Sequence, residues 1–234
     1  QGARFEEGSV APIDFGNDVD AIAAARNGVA LCDRSHWGSL QLSGADRQTF
    51  LHNQSTNDLK TLQPGQGCDT VFVTPTARTI DLATAYVLED AMLLIVSPNR
   101  RNHLLKWLDR YIFFGDKVEL KDLTEETALF SLIGAQSSAL LKKLGMDVME
   151  SQTYASHCLV EIANQPVRVA VGNGLGLDGY SIIVEADHAA AVWNAIAQAG
   201  AILMGDRVWE QLRIEQGRPM PDSELTEDYN AVEA

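Results

Sequence analysis

The chain has 234 residues, room for one large domain or two of about 100 each. Its 46% hydrophobic and 21% charged composition is that of a globular protein with a real core. Eighteen Lys and Arg against 32 Asp and Glu leave a formal charge of −14, a field that repels phosphate backbones and anionic lipid, so nucleic acid and membrane surfaces are poor partners.

Cys32, Cys68 and Cys158 lie far apart without C-x-x-C spacing, which argues against a metal site or a disulfide framework. The composition therefore fits a soluble protein of a reducing compartment, the cytoplasm or an organelle stroma or matrix. No apolar run approaches the roughly 18 residues that span a bilayer, and residues 1–15 lack a secretory apolar stretch. Asn53-Gln54-Ser55 is accordingly read as a chance match to the glycosylation pattern.

In chain order, the first helix is expected over Asn17–Ala30, with Asn17 as N-cap and Gly28 near its end. Gly38–Leu42 alternates as a strand, and a helix then runs from Ser43 or Gly44 to about Asn53. Val71–Thr74, Thr79–Leu88 and Ala91–Val96 are β-rich runs. Pro98 opens a helix through Tyr111, with Leu104, Leu105, Leu108 and Tyr111 on one face, and Val118–Leu120 closes the set.

The second half repeats the rhythm. Ala128–Ile133 is a strand, Ser137–Leu144 a helix ended by Gly145, and Cys158–Ala163, Val167–Val171 and Tyr180–Val184 are strands. Asp187–Ala199 is a helix, Ala201–Met204 a short strand, and Gly205–Gly217 a final helix with Val208 and Leu212 turned inward and Trp209 a further candidate for that face. Both halves read as β-α-β-β-α-β, so the expected class is α+β with two packed ferredoxin-like units. The expected boundaries are 1–125, 126–204, and a 205–234 helix and acidic tail returning to the first half.

Several motifs are weighed for chemistry. Gly174-Leu175-Gly176-Leu177-Asp178-Gly179 matches G-x-G-x-x-G, but a dinucleotide fingerprint needs a helix next, and Tyr180–Val184 is strand-like. The glycines are better read as a tight strand-to-strand loop that still lets a flat ligand approach the backbone. His36, His52, His103, His157 and His188 show no metal spacing. Asp33 and His36 could share a hydrogen bond, although a structural turn is the simpler reading. Arg213, between Leu212 and Ile214, needs a fixed partner for its guanidinium, either an interior carboxylate or a ligand edge. Glu215, two residues on, points elsewhere.

Five segments resemble the glycine-cleavage T-protein-like family. They are LCDRSH (Leu31–His36); Gly44–Asp58, which follows G-x-D-x-x-x-F-L-x-x-x-x-x-N-D; Phe72–Arg78 beside T-P-x-G-R; Gly174–Tyr180; and Arg213–Asn230 beside R-x-E-x-G-x-P. The resemblance implies the aminomethyltransferase folate-binding fold and tetrahydrofolate held in a central cavity between domains. It implies Arg213 as ligand fork, Asn57 and Asp58 as cavity polar groups, and Glu215 as a second-rank folate contact that could equally anchor its helix to the first domain. It leaves catalytic residues unassigned and names no metal.

Two branches of the family differ at particular positions. In the aminomethyltransferase of glycine cleavage, a strand after the Thr-Pro turn carries an Asp-Asp pair, which here falls on Leu82 and Ala83, one position after Asp81. That branch's folate-contacting Glu falls on Ser181. The other branch is folate-dependent and supports maintenance or repair of iron–sulfur clusters, with iron–sulfur client or assembly proteins as partners. Its turn matches Thr74-Pro75-Thr76-Ala77-Arg78, with Ala77 in place of glycine. Its K-G-C-Y-x-G-Q-E motif would follow Asn230 and is not in the sequence, so the C-terminal part of the family pattern is expected outside this chain. The expected function is tetrahydrofolate binding in support of iron–sulfur clusters. Aminomethyl transfer and a non-catalytic interaction scaffold are the alternatives.

Overall fold

The structure, a computed structural model, describes residues 2–146 and 153–233. Its elements are α1 (Asp18–Asn27), β1 (Ala30–Asp33), β2 (Gly38–Ser43), α2 (Arg47–Gln54), β3 (Gly67–Val73) and β4 (Thr79–Val87). Then come β5 (Ala91–Val96), α3 (Arg101–Arg110), β6 (Glu119–Asp122), β7 (Thr127–Ile133) and α4 (Ser137–Lys143). The remainder is β8 (His157–Ile162), β9 (Gln165–Val171), β10 (Gly179–Glu185), α5 (Ala189–Gln198), β11 (Ile202–Met204) and α6 (Asp206–Glu215).

The chain divides into two compact units, residues 1–36 with 125–218 and residues 37–124 with 219–234. Each has its own apolar core. In the first unit the core gathers Leu31, Phe130, Leu132, Val169, Ile182, Val192 and Ile196; in the second, Leu40, Leu42, Leu51, Phe72, Leu94, Leu104 and Leu108. Leu104 and Leu108 stand four apart on α3, so one helix stripe meets the sheet.

The second unit has the sheet order β3-β4-β5-β2-β6 with every neighbouring pair antiparallel. Omitting edge strand β3 leaves the ferredoxin-like arrangement, and the chain order β-α-β-β-β-α-β is the expected rhythm with one strand more. The first unit orders its strands β11-β1-β7-β10-β9-β8. It has the same plan from β7 onward, with β1 inserted parallel to β11 and antiparallel to β7.

That insertion corrects the sequence-based boundaries. Residues 1–36 do not stay with the segment that follows them, because Ala30–Asp33 pairs with Ile133–Phe130 and Ala30–Cys32 with Ile202–Met204. The helix from 205 also stays with the first unit, packing on α1 and β1, and only 219–234 joins residues 37–124. Ala30, expected as the end of the first helix, opens a strand that runs to Asp33. Asn17 precedes α1 but makes no side-chain cap; its Nδ2 donates to the Leu203 carbonyl at 3.0 Å.

Candidate functional site

The loop joining β9 to β10 is held from inside by Asn173, which is fully buried. Its Nδ2 donates to the carbonyls of Leu177 (3.1 Å) and Asp178 (3.0 Å), while its Oδ1 accepts the Leu175 N–H at 2.9 Å. Gly172 N–H closes the loop on the Gly179 carbonyl at 2.8 Å. Gly174 has φ +82°, and a Cβ there would stand 2.7 Å from Arg34 Nη1. Gly179 has φ +147°, and its Cβ would lie 2.0 Å from the Leu132 carbonyl oxygen. Neither position accepts a side chain without displacing a neighbour. Because β10 and not a helix follows, the loop does not open the helix that a dinucleotide fingerprint requires.

Beside the loop lies a cavity of about 550 Å³, bordered by Ala135, Ser138, Tyr154, Gly176, Asp178 and Tyr180. That volume is in the range of small-molecule sites. Ser138 Oγ and Tyr180 Oη lie 2.8 Å apart, which fixes the Tyr180 phenol at the cavity wall.

Arg34 ties the loop to β7 and α6. Its Nη1 donates to the Asn173 carbonyl (2.9 Å) and to Ser131 Oγ (3.2 Å), and its guanidinium carbon sits 4.6 Å from the centroid of the Trp209 ring. The neighbouring residues form a turn. Asp33 Oδ1 accepts the Ser35 N–H at 2.9 Å, and Ser35 Oγ accepts the Leu129 N–H at 3.2 Å. Asp33 and His36 do not hydrogen-bond to each other. His36 Nε2 instead lies 4.0 Å from Asp206 Oδ1. Burial lowers the His36 pKa against the pull of Asp206, and burial raises that of Asp206 against the pull of His36. Cys32 is buried, and desolvation pushes its thiol far above its ordinary value.

The four residues nominated from sequence fall in both units. Arg213, 4% exposed, presents Nε and Nη2 to the two oxygens of Glu210 at 2.7 and 2.6 Å, and Nη1 to the Arg218 carbonyl at 2.6 Å. Its planar fork thus grips a partly exposed carboxylate of its own helix. Glu215 accepts from Gln211 Nε2 (2.9 Å) and Arg26 Nη2 (2.8 Å), and these bonds hold its carboxyl below the usual range. Asn57 and Asp58 belong to the second unit. Asn57 Nδ2 donates to the Asp69 carbonyl at 2.9 Å, and Asn57 Oδ1 accepts the Asp58 N–H at 2.9 Å. Asp58 Oδ1 accepts the Lys60 N–H at 3.2 Å and lies 3.2 Å from His52 Nδ1.

On β4, Asp81 has no exposed surface. Its Oδ2 accepts the Ser97 N–H at 2.9 Å and its Oδ1 the Ser97 hydroxyl at 2.7 Å. Leu82 and Ala83 follow it, and Ala83 is equally buried. On β10, Ser181 Oγ donates to the Gly172 carbonyl at 2.9 Å. The Thr74–Arg78 turn bends through Ala77 at φ +61°, the left-handed region that favours glycine. Thr74 Oγ1 accepts the Arg78 N–H at 3.0 Å, and Arg78 Nη1 donates to the Asp228 carbonyl at 2.8 Å. Among the described residues no group of three or more His, Cys, Asp or Glu side chains is placed to hold a metal ion.

Sequence reasoning did not single out Arg34 or Asn173 as the residues that build the loop. Arg34 lay inside the LCDRSH cluster, but its partner is 139 residues away. A buried arginine between two polar turn residues was the available signal.

The sequence matches the family model described as the GCVT N-terminal domain over residues 9–234. A putative chloroplastic transferase of Arabidopsis thaliana is 44% identical over 233 residues, covering 100% of this chain and 54% of the relative. An aminomethyltransferase of Bacillus subtilis is 29% identical over 229 residues, covering 95% of the chain and 63% of the relative. Among solved structures, the glycine cleavage system aminomethyltransferase T of Bartonella henselae superposes with a TM-score of 0.86 at 20% identity. It covers 98% of this chain and 63% of that one, which shows a shared fold. The chain thus spans about half to under two thirds of the length of these relatives.

Proposed function

The chain belongs to the GCVT N-terminal domain family, and from that premise we propose that it binds tetrahydrofolate without carrying out aminomethyl transfer. One observation carries the second half of this reading. The acid of β4, Asp81, is sealed from solvent with its carboxylate held by Ser97, and the next two positions are Leu82 and Ala83. A general acid or base must reach the proton it moves, and a carboxylate so placed serves the strand. Ser181, where the resemblance implies a folate-contacting Glu, is likewise turned to the Gly172 carbonyl.

Folate binding is supported by the family and by the polar turn of Asn57 and Asp58, whose exposed carboxylate suits the donor-rich edge of a pterin. In this reading Arg213 enters the ligand's site only by exchanging Glu210 for it, and Glu215 by exchanging Arg26. The biological role is support of iron–sulfur enzymes. The Thr74–Arg78 turn supports that branch, since Ala77 adopts the geometry that its usual glycine favours. The name of the Arabidopsis relative supports an organelle stroma as the compartment. The test is turnover of tetrahydrofolate with an aminomethyl-loaded lipoyl carrier protein. No product is expected, and carrier-dependent formation of the methylene-folate would return the chain to the aminomethyltransferases.

A further inference from the structure

Below the end of β1 the first unit has a second pocket, of about 340 Å³, outside the loop cavity described above. Three aromatic rings border it, Phe15, Phe130 and Trp193, and Ala189 and Ala190 of α5 complete its floor. Phe130 and Trp193 pack edge to face with centroids 5.1 Å apart, so their relative orientation is set by the core. Phe15 is held by its neighbours. The buried Asp14 carboxylate accepts the Gly16 N–H at 2.8 Å and pairs with Arg207 at 3.3 Å, which anchors the segment on both sides of the ring.

One charged group lines this aromatic pocket, Asp33. Its Oδ1 accepts the Ser35 N–H, and among the described residues its Oδ2 has no hydrogen-bond partner. The basic side chains beside it in sequence engage other groups, Arg34 reaching Asn173, Ser131 and Trp209, and His36 facing Asp206, while Arg4 and Arg207 near Phe15 pair with Asp14. A carboxylate at the edge of an apolar, ring-lined cavity asks for a cation. A ring face turned to the pocket favours the same sign, and the chain's charge of −14 acts in the same direction.

We propose that the Phe15–Asp33–Phe130–Trp193 pocket binds a small organic ammonium ion, with Asp33 Oδ2 as counter-charge and the rings as walls. The site is independent of the folate reading and stands or falls separately from it. Calorimetric titration tests it with choline and propylammonium as quaternary and primary probes, and with 3,3-dimethyl-1-butanol as the uncharged shape of choline. At least one ammonium should bind saturably, and the uncharged alcohol at least tenfold more weakly. Asp33→Asn keeps an acceptor for the Ser35 N–H, so the turn should persist, yet ammonium affinity should fall at least tenfold. Ala190→Leu, which fills the pocket from an exposed helix position, should abolish binding in a chain that still melts cooperatively. Saturable binding of neither ammonium would overturn the proposal. So would equal affinity for the alcohol, or unchanged affinity in either variant.

Discussion

Ser97→Ala separates a structural from a catalytic Asp81. The substitution removes the hydroxyl that donates to Asp81 Oδ1 at 2.7 Å and keeps the backbone N–H on Oδ2. The carboxylate remains fully buried with one donor fewer. A hydrogen bond to a charged group contributes about 1.5–3 kcal/mol. For a chain of this size, with roughly 2–4 °C of melting temperature per kcal/mol, the expected drop is roughly 3–12 °C. Because the chain has two cores, the drop should appear in the transition of the unit formed by 37–124 and 219–234. Circular dichroism melts of the variant and the parent read it, with tetrahydrofolate titrations run alongside. Affinity should not change. A melt within about 1 °C of the parent, far inside the range set by the charged hydrogen bond, with a fall in folate binding or turnover would refute the argument. It would mean that Asp81 faces the ligand.

Gly174→Ala places a methyl 2.7 Å from Arg34 Nη1 in a left-handed conformation, so it should destabilise the chain by about 1–3 kcal/mol. It should also shift Trp209 fluorescence as the guanidinium leaves the ring. Arg213→Lys loses the two-pronged grip on Glu210 and the bond to the Arg218 carbonyl. It should cost about 1–3 kcal/mol in a thermal melt without ligand, since lysine cannot reproduce the planar fork; an unchanged melt with lost folate binding would make Arg213 a ligand group. Burial raises the Asp122 carboxyl, but bonds from Thr124 and Arg101 outweigh it and leave its pKa lowered. A pKa lower folded than unfolded gives stability that is present above the unfolded value and lost as pH falls through the folded one. The second unit should therefore weaken below about pH 4, and Asp122→Asn should flatten that part of the acid melt.

The rhythm of both units was legible because strands such as Ala91–Val96 and Tyr180–Val184 are dense in branched and aromatic residues, and because α3 carries a clean stripe. Strand β1 was not. Ala30–Asp33 is short, almost wholly buried and without alternation, so nothing local separates it from a helix end. Its identity comes from Ile133 and Ile202, far along the chain, and the unit boundaries were misplaced for the same reason. The LCDRSH cluster was visible as a polar concentration, but which member reaches inward depends on Asn173 and Trp209. Sequence showed that Arg213 needs a partner, and only the helix geometry supplied Glu210 three residues before it.

The central claim, folate binding by a chain with no reachable acid on β4, is tested most directly by anaerobic calorimetric titration with tetrahydrofolate. The account predicts saturable heat with one site per chain, and no dependence of that heat on Ser97→Ala. Absence of saturable binding would contradict it.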